Sequence, residues 1–361
     1  MKALYYDGKR AVYREDAPMP QCDQDQSLIK IVYAAVCSTD KEILKGYRPD
    51  FRGIMGHEFV GEVVESPDAS LVGKLVVGEM NEGCGTCVYC RTGREKHCPD
   101  RVELGLSRDG CFAEYMALST HLLHPVPEGL SPEQAVFTEP LAAAVEVTEQ
   151  VKIDPASRVA LIGDGRLAFM TAQVLALTGA PLTVIGKHAD KLALFEPYAE
   201  TLDYRSFLTS EVNDVQTSGR NGTDSAQNAD GSEVNDVQAL GRNGTDGAQG
   251  ADTYRDLRPE ESYDFVVDAT GSPSGLKLAL QIVRKMGVIV LKSTYAGTSG
   301  LNLSVLPIDE ITIVGSRCGP FDKALLILQE GKVKFPPVEL YDLSDYERAF
   351  SSDAFKAGFR M

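Results

Sequence analysis

The sequence predicts two unlike parts, a mainly antiparallel, barrel-like β lobe and an α/β domain built on a doubly wound parallel sheet. Three observations carry this. Short β-rich runs punctuated by Gly and Pro continue to about residue 118; SRVALIGDGRLAFMTAQVLALTGAPLTVIGKH then reads strand, Gly-rich turn, helix, strand; and a second such series follows from YDFVVDATGS.

The totals fit that picture. A chain of 361 residues with 43% hydrophobic and 24% charged content is long enough for two or three globular domains. A formal net charge of −16 argues against nucleic acid or an anionic membrane as partner, since both recruit basic surfaces. The N-terminus MKALYYDGKR lacks an apolar core segment, and no later run reaches about 18 apolar residues, so neither a signal peptide nor a membrane span is expected and the cytoplasm is the expected compartment. Four of the eight cysteines crowd between Cys84 and Cys98, which in a reducing compartment points to metal; Cys22, Cys111 and Cys318 read as ordinary thiols.

Taken in order, MKALYY, LIKIVYAAV, FVGEVVE, KLVVGEM and FAEYMAL read as antiparallel strands, and the pattern turns helical from Pro132. Beyond the first strand–helix–strand unit, YDFVVDATGS, VIVLKST and ITIVGS supply further strands and LKLALQIVRKMG a helix. The tail from about Phe321 holds the helix KALLILQEG and a short strand and is expected to fold back on the first lobe. The predicted boundaries are 1–142 with 316–361 for the β lobe, and 143–315 for the α/β domain. Within the latter, SEVNDVQTSGRNGTDSAQNADG (210–231) is followed directly by SEVNDVQALGRNGTDGAQGADT (232–253). Two polar copies without aromatics cannot bury a core, so the stretch from about 208 to 253 reads as a surface insertion rather than a solenoid.

Two clusters carry metal-binding chemistry. GCGTCVYCRTGREKHC spaces Cys84, Cys87, Cys90 and Cys98 by two, two and seven residues, so that four thiolates can close a tetrahedron around a structural zinc, with His97 a bystander. An iron–sulfur cluster fits less well, because no tight Cys-x-x-x-Cys-Pro ending follows. The second cluster sits in CSTDKEILKGYRPDFRGIMGHEFVGE: Cys37, then His57 and Glu58 side by side, the ligand types of a catalytic zinc that keeps one position open. Glu139 in FTEPLAAAVEV is a further candidate ligand, or else an acidic residue favoured at a helix N-terminus. The third place is thus open between Glu58 and Glu139.

Gly163-Asp164-Gly165-Arg166-Leu167-Ala168 lies between a strand and a helix, the setting in which small residues let a dinucleotide pyrophosphate approach a helix N-terminus; Gly163, Gly165 and Ala168 are the predicted contacts. Asp164 is unusual beside a phosphate, and Arg166 is expected to offset it. At the end of the next strand, where an acidic residue would select NAD, stand Gly186, Lys187 and His188, which favours the 2′-phosphate of NADP while leaving NAD open. Ala269, Thr270 and Gly271 end a later strand at the same sheet edge, and Ser293 and Thr294 end the next.

These motifs, in this order, resemble the zinc-dependent medium-chain dehydrogenase/reductases, of the alcohol dehydrogenase superfamily, over nearly the whole chain outside the repeat. CSTD followed by Glu42, with Glu139-Pro140-Leu141, is more similar to the sorbitol, threonine and glucose dehydrogenase branch. The resemblance implies a GroES-like catalytic domain, a Rossmann domain, two zinc ions per chain, NADP or NAD, and hydride transfer from an alcohol, polyol or sugar. It implies Cys37 and His57 as catalytic-zinc ligands with Glu58 and Glu139 sharing the remaining place, Thr39 touching the substrate oxygen, Asp40 orienting the histidine, and Glu42 in the place of the relay histidine. A homodimer or homotetramer is implied as well, with ITIVGS as its edge strand. A non-catalytic nucleotide-binding relative and an NADPH-dependent aldehyde or ketone reductase are the rival readings.

Overall fold

The computed structural model describes residues 1–205, 262–294, 301 and 303–361; the tandem repeat lies outside the described residues. Ala3–Tyr6, Gln26–Ala35, Glu58–Glu65, Leu75–Gly78 and Tyr115–Ser119 are strands within the β-rich runs. Gln26–Ala35 is their hub. It pairs antiparallel with Glu58–Glu65 along its length, with Tyr115–Ser119 over its first half, and through Tyr33, Ala34 and Ala35 with the last strand, Lys356–Arg360. Ile29 and Ile31 are buried and Lys30 between them is exposed, the period-two alternation of a half-buried strand. At its far end Tyr33, Ala34 and Ala35 are all buried, because both faces are covered there: Ala34 packs into the barrel core, Tyr33 and Ala35 against the helix Thr138–Gln150.

The α/β domain has a six-stranded parallel sheet in the order Glu200–Asp203, Leu182–Gly186, Val159–Ile162, Tyr263–Asp268, Val283–Leu291, Thr312–Gly315. Sequence order reverses between Val159–Ile162 and Tyr263–Asp268, and such a switch point opens a crevice at the carboxyl ends of the strands. Val159–Ile162 is buried throughout, with Leu161 in the core on one face and Ala160 in the core on the other. Helices Arg166–Ala176 and Pro273–Ile282 cover those faces.

The run LKLALQIVRKMG, expected as one helix, divides. Ser272 caps and Pro273 starts the helix early, it ends at Ile282, and Val283–Leu291 is strand. The strand stays irregular at its start, where Met286 takes a left-handed φ of 60° and the register shifts between Tyr263 and Phe265.

After Thr312–Gly315 the chain leaves the parallel sheet. Helix Phe321–Gln329 packs on Thr138–Gln150, and the strands Val338–Asp342 and Lys356–Arg360 join the seven-stranded sheet of the first lobe. The two lobes therefore share a core, in which Leu141, Ala144 and Val145 meet Met170, Val174 and Phe321. Among the described residues no helix is long and apolar enough to cross a membrane.

Candidate metal centre and nucleotide crevice

Three adjacent strands bring the candidate site residues together. Ala35 is paired with Glu58 on one side and Gly358 on the other, so the end of Gln26–Ala35 sits between the start of Glu58–Glu65 and the strand that carries Lys356. Two residues past Ala35, Cys37 caps the helix Ser38–Leu44, and Asp40 folds back so that its Oδ2 accepts the Cys37 N–H at 2.8 Å. That bond fixes the angle at which the helix leaves the sheet. Gly56 makes the turn before His57 with a φ of 93°, and a Cβ there would run into the Phe112 ring at 2.3 Å.

Potential ligand atoms of Cys37, His57 and Glu58 all lie within 4.8 Å of one another. The site is buried and short of partners. His57 Nδ1 faces Asp40 Oδ1 at 3.6 Å, and neither atom has a hydrogen bond. Neither Glu58 oxygen has one either, and the carboxylate leans only on the ammonium of Lys356, itself 3% exposed. Burial opposes a charged His57, but Asp40 and Cys37 outweigh it and hold its pKa well above the ordinary value. Buried carboxylate and imidazole atoms without a hydrogen bond, beside a thiol, are what a divalent cation would satisfy, and the donor set suits zinc.

The other predicted residues fall into place unequally. The Cys37 thiol reaches the Thr39 hydroxyl at 3.7 Å. Glu139 is outside the three-ligand set, yet it feels the centre: burial pushes its pKa up, His57 pulls it down, and Glu58 pushes it up again. Glu42 points away, with its side chain 52% exposed and its carboxylate on Lys45 at 2.8 Å. Lys356 escaped sequence reasoning, although a lysine between Phe355 and Ala357 in an apolar run was the available signal. Cys111 is a buried core thiol bonded to the Glu58 carbonyl.

In the cysteine lobe, Cys84, Cys87, Cys90 and Cys98 converge in the same way, with Cys87 and Cys90 Sγ 3.5 Å apart and Cys98 Sγ accepting from the Cys84 N–H at 3.4 Å. Cys87 caps the single turn Val88–Arg91 that swings Cys90 round, and Gly83 leaves room for it. Hydrogen bonds from Thr86 lower Cys84 to about 6, while burial raises Cys90 to about 12. Four sulfurs converging on one point, one of them ready to ionise, again make a donor set that fits zinc. His97 stays outside the set and lies against Tyr89.

At the crevice, Gly163 has a φ of 124° and packs so tightly on Ala269 that a Cβ would meet its carbonyl at 2.9 Å. Gly165 caps the helix Arg166–Ala176 with nothing within 4 Å of where its Cβ would be, so the helix N-terminus is open to a phosphate. Ala168 is fully buried beneath. Asp268 knots the facing turn, its Oδ1 accepting from Thr270 N, Thr270 Oγ1 and Ser293 Oγ. Ser293 also accepts from the Gly271 N–H at 2.9 Å, so it belongs to this turn. Arg166 does not offset Asp164: its guanidinium crosses to Ser38 Oγ at 3.0 Å, joining the Gly-rich turn to the helix that Cys37 caps.

The alcohol dehydrogenase GroES-like domain family matches residues 23–128. D-arabinitol dehydrogenase 1 of Uromyces fabae is 27% identical, covering 98% of this chain and 94% of its own. Sorbitol dehydrogenase of Halalkalibacterium halodurans is 28% identical, covering 95% and 92%. The chain belongs to the zinc-dependent medium-chain dehydrogenase family. Its GroES-like and Rossmann domains are the family's two parts. The fold is also that of a Sinorhizobium meliloti protein described as a zinc-binding dehydrogenase bound to NADP, at a TM-score of 0.79 and 21% identity, covering 100% of this chain and 99% of that one.

Proposed function

We propose that this member of the family is a zinc-dependent dehydrogenase moving a hydride between the carbinol carbon of a polyol or related alcohol and NAD(P). The convergence of Cys37, His57 and Glu58 is the observation that carries it. Relatives acting on D-arabinitol and sorbitol support a polyol as substrate class.

Cys37, His57 and Glu58 would hold the catalytic zinc, and the four-cysteine lobe the structural one. When bound, the ion supplies Lewis acidity that lowers the pKa of an alcohol, and the nicotinamide accepts the hydride. Asp40, its Oδ1 3.6 Å from His57 Nδ1, is the carboxylate placed to orient the ring. Lys356 neutralises Glu58 and keeps the strand ends in register. Thr39 is placed beside Cys37 to take the substrate's hydroxyl proton, and Glu42, one helical turn further on and open to solvent, lies where such a proton reaches bulk water. The Gly163–Ala168 turn and the Ala269–Gly271 turn seat the dinucleotide, and the Arg166–Ser38 bond holds that seat against the metal centre.

All eight cysteines stand unpaired, the state in which a reducing cytoplasm keeps thiols. Thr312–Gly315, at the open edge of the parallel sheet, is the strand through which a homodimer would form.

Zinc analysis together with turnover tests the proposal. About two zinc ions per chain and reduction of NAD or NADP by at least one of a panel of polyols are expected. About one zinc per chain and no turnover with any alcohol, despite nucleotide binding, would leave the chain a non-catalytic relative.

A further inference from the structure

The Gly-rich turn carries a carboxylate where a phosphate is to bind, and its surroundings show what it does. Asp164 Oδ2 accepts three hydrogen bonds from the end of the strand Leu182–Gly186: from Lys187 N–H at 2.7 Å, from His188 N–H at 2.8 Å and from the His188 ring at Nδ1, 2.9 Å away. The side chain is only 12% exposed. Burial alone would raise its pKa, but the His188 and Lys187 N–H groups outweigh this and keep it low, so the group is an anion.

The contact explains Gly186 as well. A Cβ at that position would lie 2.8 Å from Asp164 Cβ and 2.9 Å from its Oδ2, so no side chain fits there while Asp164 holds its place. This is the strand end at which a dinucleotide-binding fold places its acidic residue for the adenosine ribose. Here the carboxylate comes from the opposite wall of the same corner, and glycine stands at the strand end to admit it.

The two basic residues that follow Gly186 are already engaged. Lys187 Nζ lies over the Tyr204 ring, 5.0 Å from its centroid, and His188 is on Asp164. Asp203, paired in register with Gly186, adds another carboxylate to the same sheet edge. A 2′-phosphate needs N–H donors and free positive charge, whereas a 2′-hydroxyl needs an acceptor.

We infer that Asp164 is the residue that sets cofactor choice, occupying the backbone N–H groups a 2′-phosphate would require and offering its carboxylate to the ribose hydroxyls, so that the enzyme takes NAD in preference to NADP. The inference rests on the dehydrogenase reading above and narrows its cofactor. The basic residues after Gly186, which in the sequence point to NADP, serve instead to hold Asp164.

Direct binding tests this without substrate. NADH and NADPH are titrated into the zinc-loaded enzyme and followed by nicotinamide fluorescence, with circular dichroism melts to establish folding. The wild type is expected to bind NADH at least about tenfold more tightly, the size of one or two charge-assisted hydrogen bonds. In Asp164→Ala the freed N–H groups should shift the NADPH-to-NADH preference towards NADPH by about tenfold or more. Asp164→Asn, which keeps the shape and one acceptor but no charge, should fall between and covers the case in which the alanine variant fails to fold. A wild type that prefers NADPH, or a preference unchanged in both variants, overturns the inference. A wild type that binds neither nucleotide overturns the dehydrogenase reading itself, and this inference with it.

Discussion

Lys356→Met removes the cation that faces Glu58 and keeps most of the apolar stem, so packing changes little. The pair is buried on both sides, with side-chain exposures of 4% and 1%. Breaking such a pair by removing one partner leaves an uncompensated charge and costs about 3–5 kcal/mol. A catalytic zinc bound to Glu58 would supply the missing positive charge, so the cost should depend on metal. For a molecule of this size about 1 kcal/mol moves the melting midpoint by about 1–2 °C. The chelated variant should therefore melt about 3–10 °C below the chelated wild type, and the zinc-loaded variant less than half as far below the loaded wild type. Comparing variant with wild type within each state cancels the loss of the structural zinc. Equal drops in the two states, or a drop under about 2 °C in the chelated one, would refute the argument that Glu58 is shared between Lys356 and a metal.

Two further outcomes are expected. Glu58→Gln should lower zinc from about two ions per chain to about one while Glu139→Gln keeps about two, read by metal analysis after dialysis; the reverse result would make Glu139 the third ligand. Lys292, whose ammonium reaches Ser316 Oγ at 3.1 Å, has its pKa lowered to about 8 by burial, which Cys318, Glu146 and Glu139 only partly offset. Its folded pKa lies below the unfolded one, so the unfolded chain binds more protons between those values and stability rises with pH through that window, from about 8 to 10.5. The full penalty, about 3 kcal/mol, applies below pH 8. Lys292→Met should remove that rise, so denaturant melts of the two proteins should converge as pH goes from 8 to 10; parallel curves would show that Lys292 stays charged when folded.

What was legible in the sequence is what local chemistry fixes. Cys-x-x-Cys spacing brings Cys84, Cys87 and Cys90 round one turn whatever the rest of the fold does, and the Gly163–Ala168 turn declares itself by the strand before it and the helix after it. The long run after Ser272 misled because helix and strand share its apolar residues, and only pairing with Tyr263–Asp268 decides that Val283 starts a strand.

By itself the sequence determined the fold class, the four-cysteine cluster and the strand–turn–helix of the crevice, and it singled out Cys37 and His57 as candidate ligands while leaving their third partner open, since periodicity and short spacings are properties of neighbouring residues. Tertiary structure alone decided which distant groups meet. It set Glu58 rather than Glu139 in the candidate ligand cluster, brought Lys356 across from the last strand, turned Glu42 out to Lys45, and bonded Asp164 to residues 23 and 24 positions away. Such contacts follow from sheet register and from the angle between the two lobes, and both depend on packing among residues that no local spacing relates.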